Sequence, residues 1–254
     1  MNQHISLSSA VVEVLSFNIR HCVGSDGVLD VARIARVIRD SSAEIVGLQE
    51  VDRHFGDRSD WVDQAKELGR LLDFDVCFGA NQDLEPSAHG RPRAQYGTAM
   101  LSRHPISRWE NTHLFCSPRG EQRGLLHAEI DMRGIPLHVF TVHLEWFAAA
   151  DRLQQAKEVV ELIDDTGPAI LLGDFNAAPG TQEIDTFRAA FTDCWSILDG
   201  GEPATYPADA PATCIDYIFA GRGVAPVRVR AVTDDPLASD HLPVLARLAV
   251  AVPS

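Results

Sequence analysis

The sequence predicts an α/β protein built on mixed β-sheets. Apolar runs of strand length interleave with segments whose apolar residues recur at helical spacing. Several strand-like runs follow one another with no helix between them, which a purely parallel sheet with helical crossovers does not allow. The chain has 254 residues and is 45% hydrophobic, enough for one large domain with a sizeable core. No internal repeat or low-complexity tract divides residues 1–254, so they read as a single domain.

The elements follow in order. Val11 to Phe17 is a β-rich run ending at Asn18. Val31, Ile34, Val37 and Ile38 recur at helical spacing and make Leu29 to Asp40 an amphipathic helix. Ile45 to Leu48 is a short buried strand ending at Glu50. Trp61, Ala65, Leu68 and Leu72 mark a second helix with Asp60 as N-cap. Phe74 to Phe78 and Gly97 to Leu101 read as strands, and Arg103-His104-Pro105 as a turn. Leu125 to Ile130 and Leu137 to Val142 form a hairpin around Arg133-Gly134. Ala149 to Ile163 is a third helix, Ala169 to Leu172 a buried strand, and Thr181 to Phe191 a short helix. Ile215 to Phe219, Val227 to Val232 and Leu242 to Val250 are the closing strands. Gly79 to Gln95 and Gly200 to Thr213 read as irregular loops, too short for linkers.

Composition narrows the function. Met1 to Ala10 lacks the basic start and apolar core of a signal peptide, and no apolar run reaches the length of a membrane span. The five cysteines (Cys22, Cys77, Cys116, Cys194, Cys214) are scattered, with no C-x-x-C pair, and predict reduced thiols in a cytoplasmic protein. The net charge of −14 speaks against a nucleic-acid binder, whose affinity comes largely from neutralised phosphates. Charge is uneven. Arg91, Arg93, Arg103, Arg108, Arg119, Arg123 and Arg133 crowd one stretch. From Ala177 to Asp216, seven acidic residues face only Arg188. The first stretch suits a small anionic substrate, and the second would repel a long polyanion if both flank the site.

Five strand-end signatures carry the chemistry: Ser16-Phe17-Asn18-Ile19-Arg20, Gly47-Leu48-Gln49-Glu50, Gly173-Asp174-Phe175-Asn176, Cys214-Ile215-Asp216-Tyr217 and Ser239-Asp240-His241-Leu242-Pro243-Val244. Asn18, Glu50, His143, Asp174, Asn176 and Asp240 all stand at or just past the ends of apolar runs, and such ends gather at one edge of an α/β sheet. Separate carboxylates and an amide suit a hard, oxygen-seeking ion such as Mg²⁺. His241 suits proton transfer or a hydrogen bond to a phosphate oxygen, with Asp216 available to orient it.

This ordered set resembles the endonuclease/exonuclease/phosphatase superfamily, over about Val11 to Val250. The matching residues are Asn18, Glu50, Tyr96-Gly97 before Ala99-Met100-Leu101-Ser102-Arg103, Arg123, His143, Asp174 with Asn176, Asp216 and Asp240-His241. Leu48 to Asp52 is similar to the second motif of its bacterial metal-dependent hydrolases. The resemblance implies a deoxyribonuclease-like, four-layer α/β/β/α sandwich with the site at one rim of the paired sheets. It implies metal ligation by Glu50, helped by Asn18 and Asp240, with Mg²⁺ as the ion and Mn²⁺ as a substitute. His143 and Asn176 would hold phosphate oxygens, Asp174 would position or deprotonate the attacking water, and His241 backed by Asp216 would handle the second proton. Asn18, Tyr96 and Arg123 join the substrate side. Tyr96 also reads as a packing aromatic, and Arg123 either binds phosphate or braces the site.

The function that follows is Mg²⁺-dependent hydrolysis of a small or lipid-derived phosphoester by in-line water attack. The alternative is a DNA or RNA endo- or exonuclease, which the acidic balance disfavours. Asp52 to Asp60, Gly79 to Gln95, Glu145 to Asp151 and Gly200 to Thr213 are the expected pocket walls. Trp146 and Phe147 either contact an apolar leaving group or pack. No membrane-anchoring hairpin is visible.

Overall fold

The computed structural model describes residues 9–86, 89–163, 167–197 and 203–251. The first eight residues and the start of the Gly200 to Thr213 loop, Gly200 to Glu202, lie outside the described residues.

Two six-stranded mixed sheets face each other. The first has the order β11-β12-β1-β2-β4-β3 and the second β5-β6-β7-β8-β10-β9. Their strands are β1 (Ser9–Asn18), β2 (Ile45–Arg53), β3 (Asp75–Leu84), β4 (Ala94–Ser102), β5 (Ile106–His113), β6 (Gly124–Met132), β7 (Ile135–His143), β8 (Ala169–Asp174), β9 (Thr192–Asp193), β10 (Asp216–Ala220), β11 (Val224–Ala231) and β12 (Val244–Ala251). Among the described residues only β1–β2 and β7–β8 pair in parallel. Each parallel pair sits at the middle of its sheet, and the four strands bring Asn18, Glu50, His143 and Asp174 to their C-terminal ends or just short of them.

The four helices cover the outer faces. Helices α1 (Val31–Ser41) and α2 (Gln64–Leu72) bury Ile34, Ile38, Ala65 and Leu68 against Leu15, Phe17, Val46 and Leu48 of the first sheet. Helices α3 (Ala149–Ile163) and α4 (Gln182–Ala190) add Ala156, Val159, Ile184 and Phe187 to the larger core, which also fills the space between the sheets. Removing this apolar surface from water drives the layers together. The architecture is the four-layer sandwich expected.

Local chemistry sets the element ends. Asp30 caps α1 by accepting from Arg33 N at 2.8 Å, and Ser42 closes it in the left-handed region. The second helix starts later than its sequence suggests. Asp60 and Trp61 are left-handed (φ 49° and 59°), so Asp63 is the N-cap and accepts from Lys66 N at 3.1 Å. Arg133 and Gly134 both have positive φ, the backbone of a tight hairpin turn that matches strand twist.

Two edge strands differ from the sequence reading. Strand β3 continues to Leu84, through residues that read as loop, and β5 had no strand signal. Both lie at sheet edges: β5 reads Ile-Ser-Arg-Trp-Glu-Asn-Thr-His and is mostly exposed, so no core imposes alternation on it, whereas β3 alternates in burial but its added residues Gly79 to Leu84 are mostly small or polar.

Candidate active site

A bulge builds the first half of the site. Strand β2 does not end at Glu50 but runs on to Arg53, with its register against β4 jumping between Leu48↔Ala99 and Val51↔Gly97. The extra residue leaves Glu50 left-handed at φ 57° and re-aims its side chain. Glycine is required opposite it, because a Cβ on Gly97 would lie 1.9 Å from the Gly79 carbonyl oxygen. Just beyond β1, Arg20, His21 and Cys22 form a rare run of three left-handed, non-glycine residues. Gln64 Nε2, donating to His21 O at 2.7 Å, helps hold this turn.

The second half comes from β7 and β8, where His143 and Asp174 are register partners. Their close approach depends on Gly173, whose Cβ would stand 2.2 Å from Val142 O. The third part is the β10 end and the segment before β12, which supply Asp216 and Asp240-His241.

Asp174 is the hub. It is 1% exposed, and its Oδ1 accepts from Asn176 N at 2.9 Å. Its Oδ2 accepts from Asn18 Nδ2 at 3.0 Å and lies 3.4 Å from His143 Nε2 and 3.6 Å from His241 Nε2. Asn18 Nδ2 also donates to Glu50 Oε1 at 3.1 Å, while its Oδ1 accepts from Arg20 N. The amide therefore turns nitrogen, not oxygen, toward both carboxylates. Asn176 Nδ2 donates to Leu144 O at 3.0 Å and keeps one amide hydrogen free of that bond.

The two histidines differ in charge. Burial and the Arg123 guanidinium push His143 well below the ordinary imidazole value, so the ring is neutral. Arg123 Nη1 donates to His143 Nδ1 at 3.0 Å, which puts the ring proton on Nε2, facing Asp174. His241 is pushed up to about 10: burial opposes its charge, but Asp216 and Asp174 outweigh burial. Asp216 Oδ2 stands 3.0 Å from His241 Nδ1, and Thr205 Oγ1 donates to the same oxygen at 2.5 Å.

The carboxylates divide likewise. Burial raises Asp174 to about 7; His241 acts against the shift and Asp216 with it. Glu50 is partly exposed to the cleft; desolvation opposes its charge, yet the His21 imidazole, whose Nδ1 is 3.8 Å from Glu50 Oε2, and the Asn18 amide help hold it down at about 2. Asp240 is half-buried, and its Oδ2 lies 3.7 Å from Arg20 Nε. Ser239 Oγ fixes this segment by donating to Asn18 O at 2.7 Å.

These groups line a cleft of about 380 Å³. Glu50, Tyr96, Arg123, His143, Asp174, Asn176, Asp240 and His241 all reach it. Asp216 stands behind His241. Tyr96 is 9% exposed, packs against Phe55 and has the Arg58 guanidinium over its ring, so it is a packing aromatic whose edge meets the cleft. Arg123 braces: besides His143 it pairs with Glu121 Oε1 at 2.9 Å.

The charge stretches of the sequence do not map onto the cleft walls. Arg93 pairs with Asp83 and Glu85, Arg133 with Glu44, and Arg91 and Arg103 stand over Trp61 and Phe74. Among the described residues only Arg123 of that stretch lines the cleft. In the acidic stretch Glu183 pairs with Arg152 and Asp193 with Arg188, and only Asp216 belongs to the site; Asp199 and Glu202 lie outside the described residues. Neighbours in sequence leave a strand or helix on different faces, so a charged stretch does not make a charged wall. Of the four expected wall loops, Glu145 to Asp151 contributes Trp146 and Gly200 to Thr213 contributes Tyr206. His21, Glu121 and Thr205 are supports that no sequence signal singled out, and Ser239, which opens the last signature, acts on Asn18 far away in the chain.

The chain also matches the model of the Endonuclease/Exonuclease/phosphatase family over residues 15–241. It belongs to that family. The uncharacterized protein YbhP of Escherichia coli (strain K12) is 30% identical over 229 residues, covering 83% of this chain and 85% of its own. The endonuclease/exonuclease/phosphatase from Beutenbergia cavernae DSM 12333 superposes with a TM-score of 0.83 at 28% identity, over 95% of this chain and 72% of that one. A mannosyl-6-phosphatase of Bacteroides thetaiotaomicron VPI-5482 shares the fold, with a TM-score of 0.73 at 20% identity, over 93% and 99% of the two chains. Endonuclease/exonuclease/phosphatase family members are phosphoester hydrolases, and this chain carries a buried acid–imidazole cluster.

The family implies a divalent ion, and the donor set fits one. Glu50 stays ionised, Asp240 is half-buried, and both face the same cleft, an oxygen-rich arrangement suited to a hard divalent cation. Asn18 would join them through Oδ1 only by turning its amide over. Asp174, Asp216 and His241 also bring ligand atoms within 4.8 Å of one another. There, His241 Nδ1, Asp216 and Thr205 already satisfy each other, which makes that group a hydrogen-bonded relay rather than a cation cage.

Proposed function

We propose that this protein is a Mg²⁺-dependent phosphoester hydrolase acting on a small or lipid-derived phosphodiester or phosphomonoester, with Mn²⁺ able to replace Mg²⁺. The observation that carries the reading is the convergence of Asn18 Nδ2, His143 Nε2 and His241 Nε2 on one buried oxygen, Asp174 Oδ2, at the cleft floor. Phosphoryl transfer needs an aligned water and positive or hydrogen-bonding groups where charge builds, and little else from the protein.

Each residue then has a task. Glu50 and Asp240 would hold the cation, which when bound supplies Lewis-acid stabilisation of phosphoryl oxygen charge. His143 donates from Nε2, and Asn176 from its remaining amide hydrogen, to non-bridging phosphate oxygens. Asp174 Oδ2 orients the attacking water and accepts its proton. His241 keeps one proton on Nδ1 against Asp216 and offers the other, on Nε2, to the phosphate or the departing oxygen. The half-buried and buried cysteines are all free thiols, which supports a reducing, cytoplasmic setting. Among the described residues no helix is long and apolar enough to cross a membrane.

The test is hydrolysis of bis-(p-nitrophenyl) phosphate with Mg²⁺ or Mn²⁺. Activity should vanish with EDTA, and Asp174→Asn should lose about 10²–10⁴-fold. Full activity in Asp174→Asn would overturn the mechanism. Plasmid nicking at moderate salt that outpaces small-ester turnover would move the assignment to a nuclease.

A further inference from the structure

Two exposed aromatic side chains, one of them lining the cleft, stand on a backbone pinned by hydrogen bonds. Trp146 and Phe147 are 65% and 54% exposed, and their rings meet edge-on at 5.5 Å. They stand just past Leu144 and Glu145, which follow His143, and Trp146 lines the cleft. The loop beneath them is built around Glu145, which is fully buried. Its Oε1 accepts from Trp146 N at 2.9 Å and Phe147 N at 3.2 Å, and its Oε2 accepts from Glu121 N at 3.2 Å. Arg152 Nη1 donates to Glu145 O at 2.9 Å and Trp146 O at 3.1 Å, while its Nε is anchored on Glu183. Burying a carboxylate is costly unless it is hydrogen-bonded, and here those bonds fix a loop whose side chains gain no burial. On the His241 side, Tyr206 places its ring 4.8 Å from the imidazole and also lines the cleft.

Isolated exposed hydrophobics are ordinary. These three are not isolated: Trp146 and Tyr206 line the cleft with the groups that would hold phosphate, and Phe147 packs edge-on against Trp146. We propose that Trp146, backed by Phe147, and Tyr206 form an aromatic mouth that binds a planar, unsaturated ring on the part of the phosphoester that stays with the phosphate. This rests on the phosphoester chemistry proposed above. Aromatic faces stack on flat rings whatever their substituents. Among the described residues the remainder of the lining is mostly charged and polar, which suits a flat ring better than an acyl chain. The cleft is of small-molecule size.

Two phosphodiesters that release the same p-nitrophenolate isolate the effect: the p-nitrophenyl esters of methyl phosphate and of thymidine 5′-phosphate. The wild type should show a KM for the thymidyl ester lower by roughly 10-fold. Trp146→Ala and Tyr206→Ala should each narrow that ratio, and Trp146→Phe should retain part of it. Equal KM values for the two esters, or a ratio unchanged by both alanine variants, would overturn the proposal. Calorimetry with thymidine 5′-phosphate and methyl phosphate separates binding from turnover. Tighter, Trp146-dependent binding of the nucleotide without hydrolysis of either ester would uphold the mouth and sink the hydrolase reading. No preference in either measurement, or Trp146-dependent binding to phosphatidylcholine vesicles in its place, would sink the mouth.

Discussion

His241 Nδ1 lies 3.0 Å from Asp216 Oδ2, and both side chains are buried. This contact fixes which imidazole nitrogen faces the cleft and keeps the ring charged. Thr205 Oγ1 holds the same carboxylate from behind. Asp216→Asn leaves the shape nearly intact but removes the charge that stabilises the imidazolium. We expect kcat to fall about 10²–10⁴-fold with KM changed far less. A proton NMR spectrum of the His241 ring should show its pKa falling in the variant; an unshifted ring with full kcat would refute the role.

The same pair gives stability a pH dependence. His241 titrates at about 10 in the folded chain against an ordinary 6.5, so the folded state holds the proton more tightly. Its stabilising contribution is complete below pH 6.5 and is lost as pH rises through about 10. Urea unfolding of wild type and His241→Asn should therefore show a stability difference that shrinks from pH 6.5 to 10. A difference that grows over this range would contradict the sign.

Arg123 works through His143. Arg123→Gln removes the guanidinium that, with burial, holds the ring neutral. The His143 pKa should rise, and kcat/KM should fall by about 10-fold as its Nε2 donor loses orientation. Arg123→Lys should recover only part, because both contacts run through Nη1 and a lysine side chain is one bond shorter than the arm that carries this nitrogen to His143 and Glu121. Full recovery by lysine would reduce the role of Arg123 to charge alone.

Gly173 sets the distance between His143 and Asp174. In Gly173→Ala the new methyl would meet backbone, the Val142 carbonyl oxygen, which cannot rotate away. We expect a loss of about 2 kcal/mol in chemical unfolding, with activity falling even where the protein stays folded. A variant as stable and active as wild type would show that the parallel pair tolerates a wider spacing.

Much of the site is legible along the chain because its residues stand at strand ends. Asn18, Glu50, His143, Asp174, Asn176, Asp216 and the Asp240-His241 pair each follow or interrupt an apolar run, and parallel strands carry such ends to one rim. Their supports are not legible. Thr205 sits in a loop without pattern, and Glu121 meets Arg123 in a segment of no regular structure. His21 looks like a surface histidine until the left-handed turn brings it beside Glu50. The edge strand β5 escaped because an edge facing water does not impose the alternation that reveals a strand.

The sequence by itself determined the alternation of layers, the family likeness and the set of strand-end donors, since periodicity and local residue type are properties of short segments. The tertiary structure decided what each donor faces. Asn18 turns its amide nitrogen to two carboxylates, Asp174 sits between a neutral and a charged imidazole, and Arg123 braces rather than reaches outward. It also scattered the arginine stretch and gathered Trp146 and Tyr206 at one mouth. The reason is that charge, tautomer and burial depend on neighbours tens to hundreds of residues away, which only the packed sheets bring within a few ångströms.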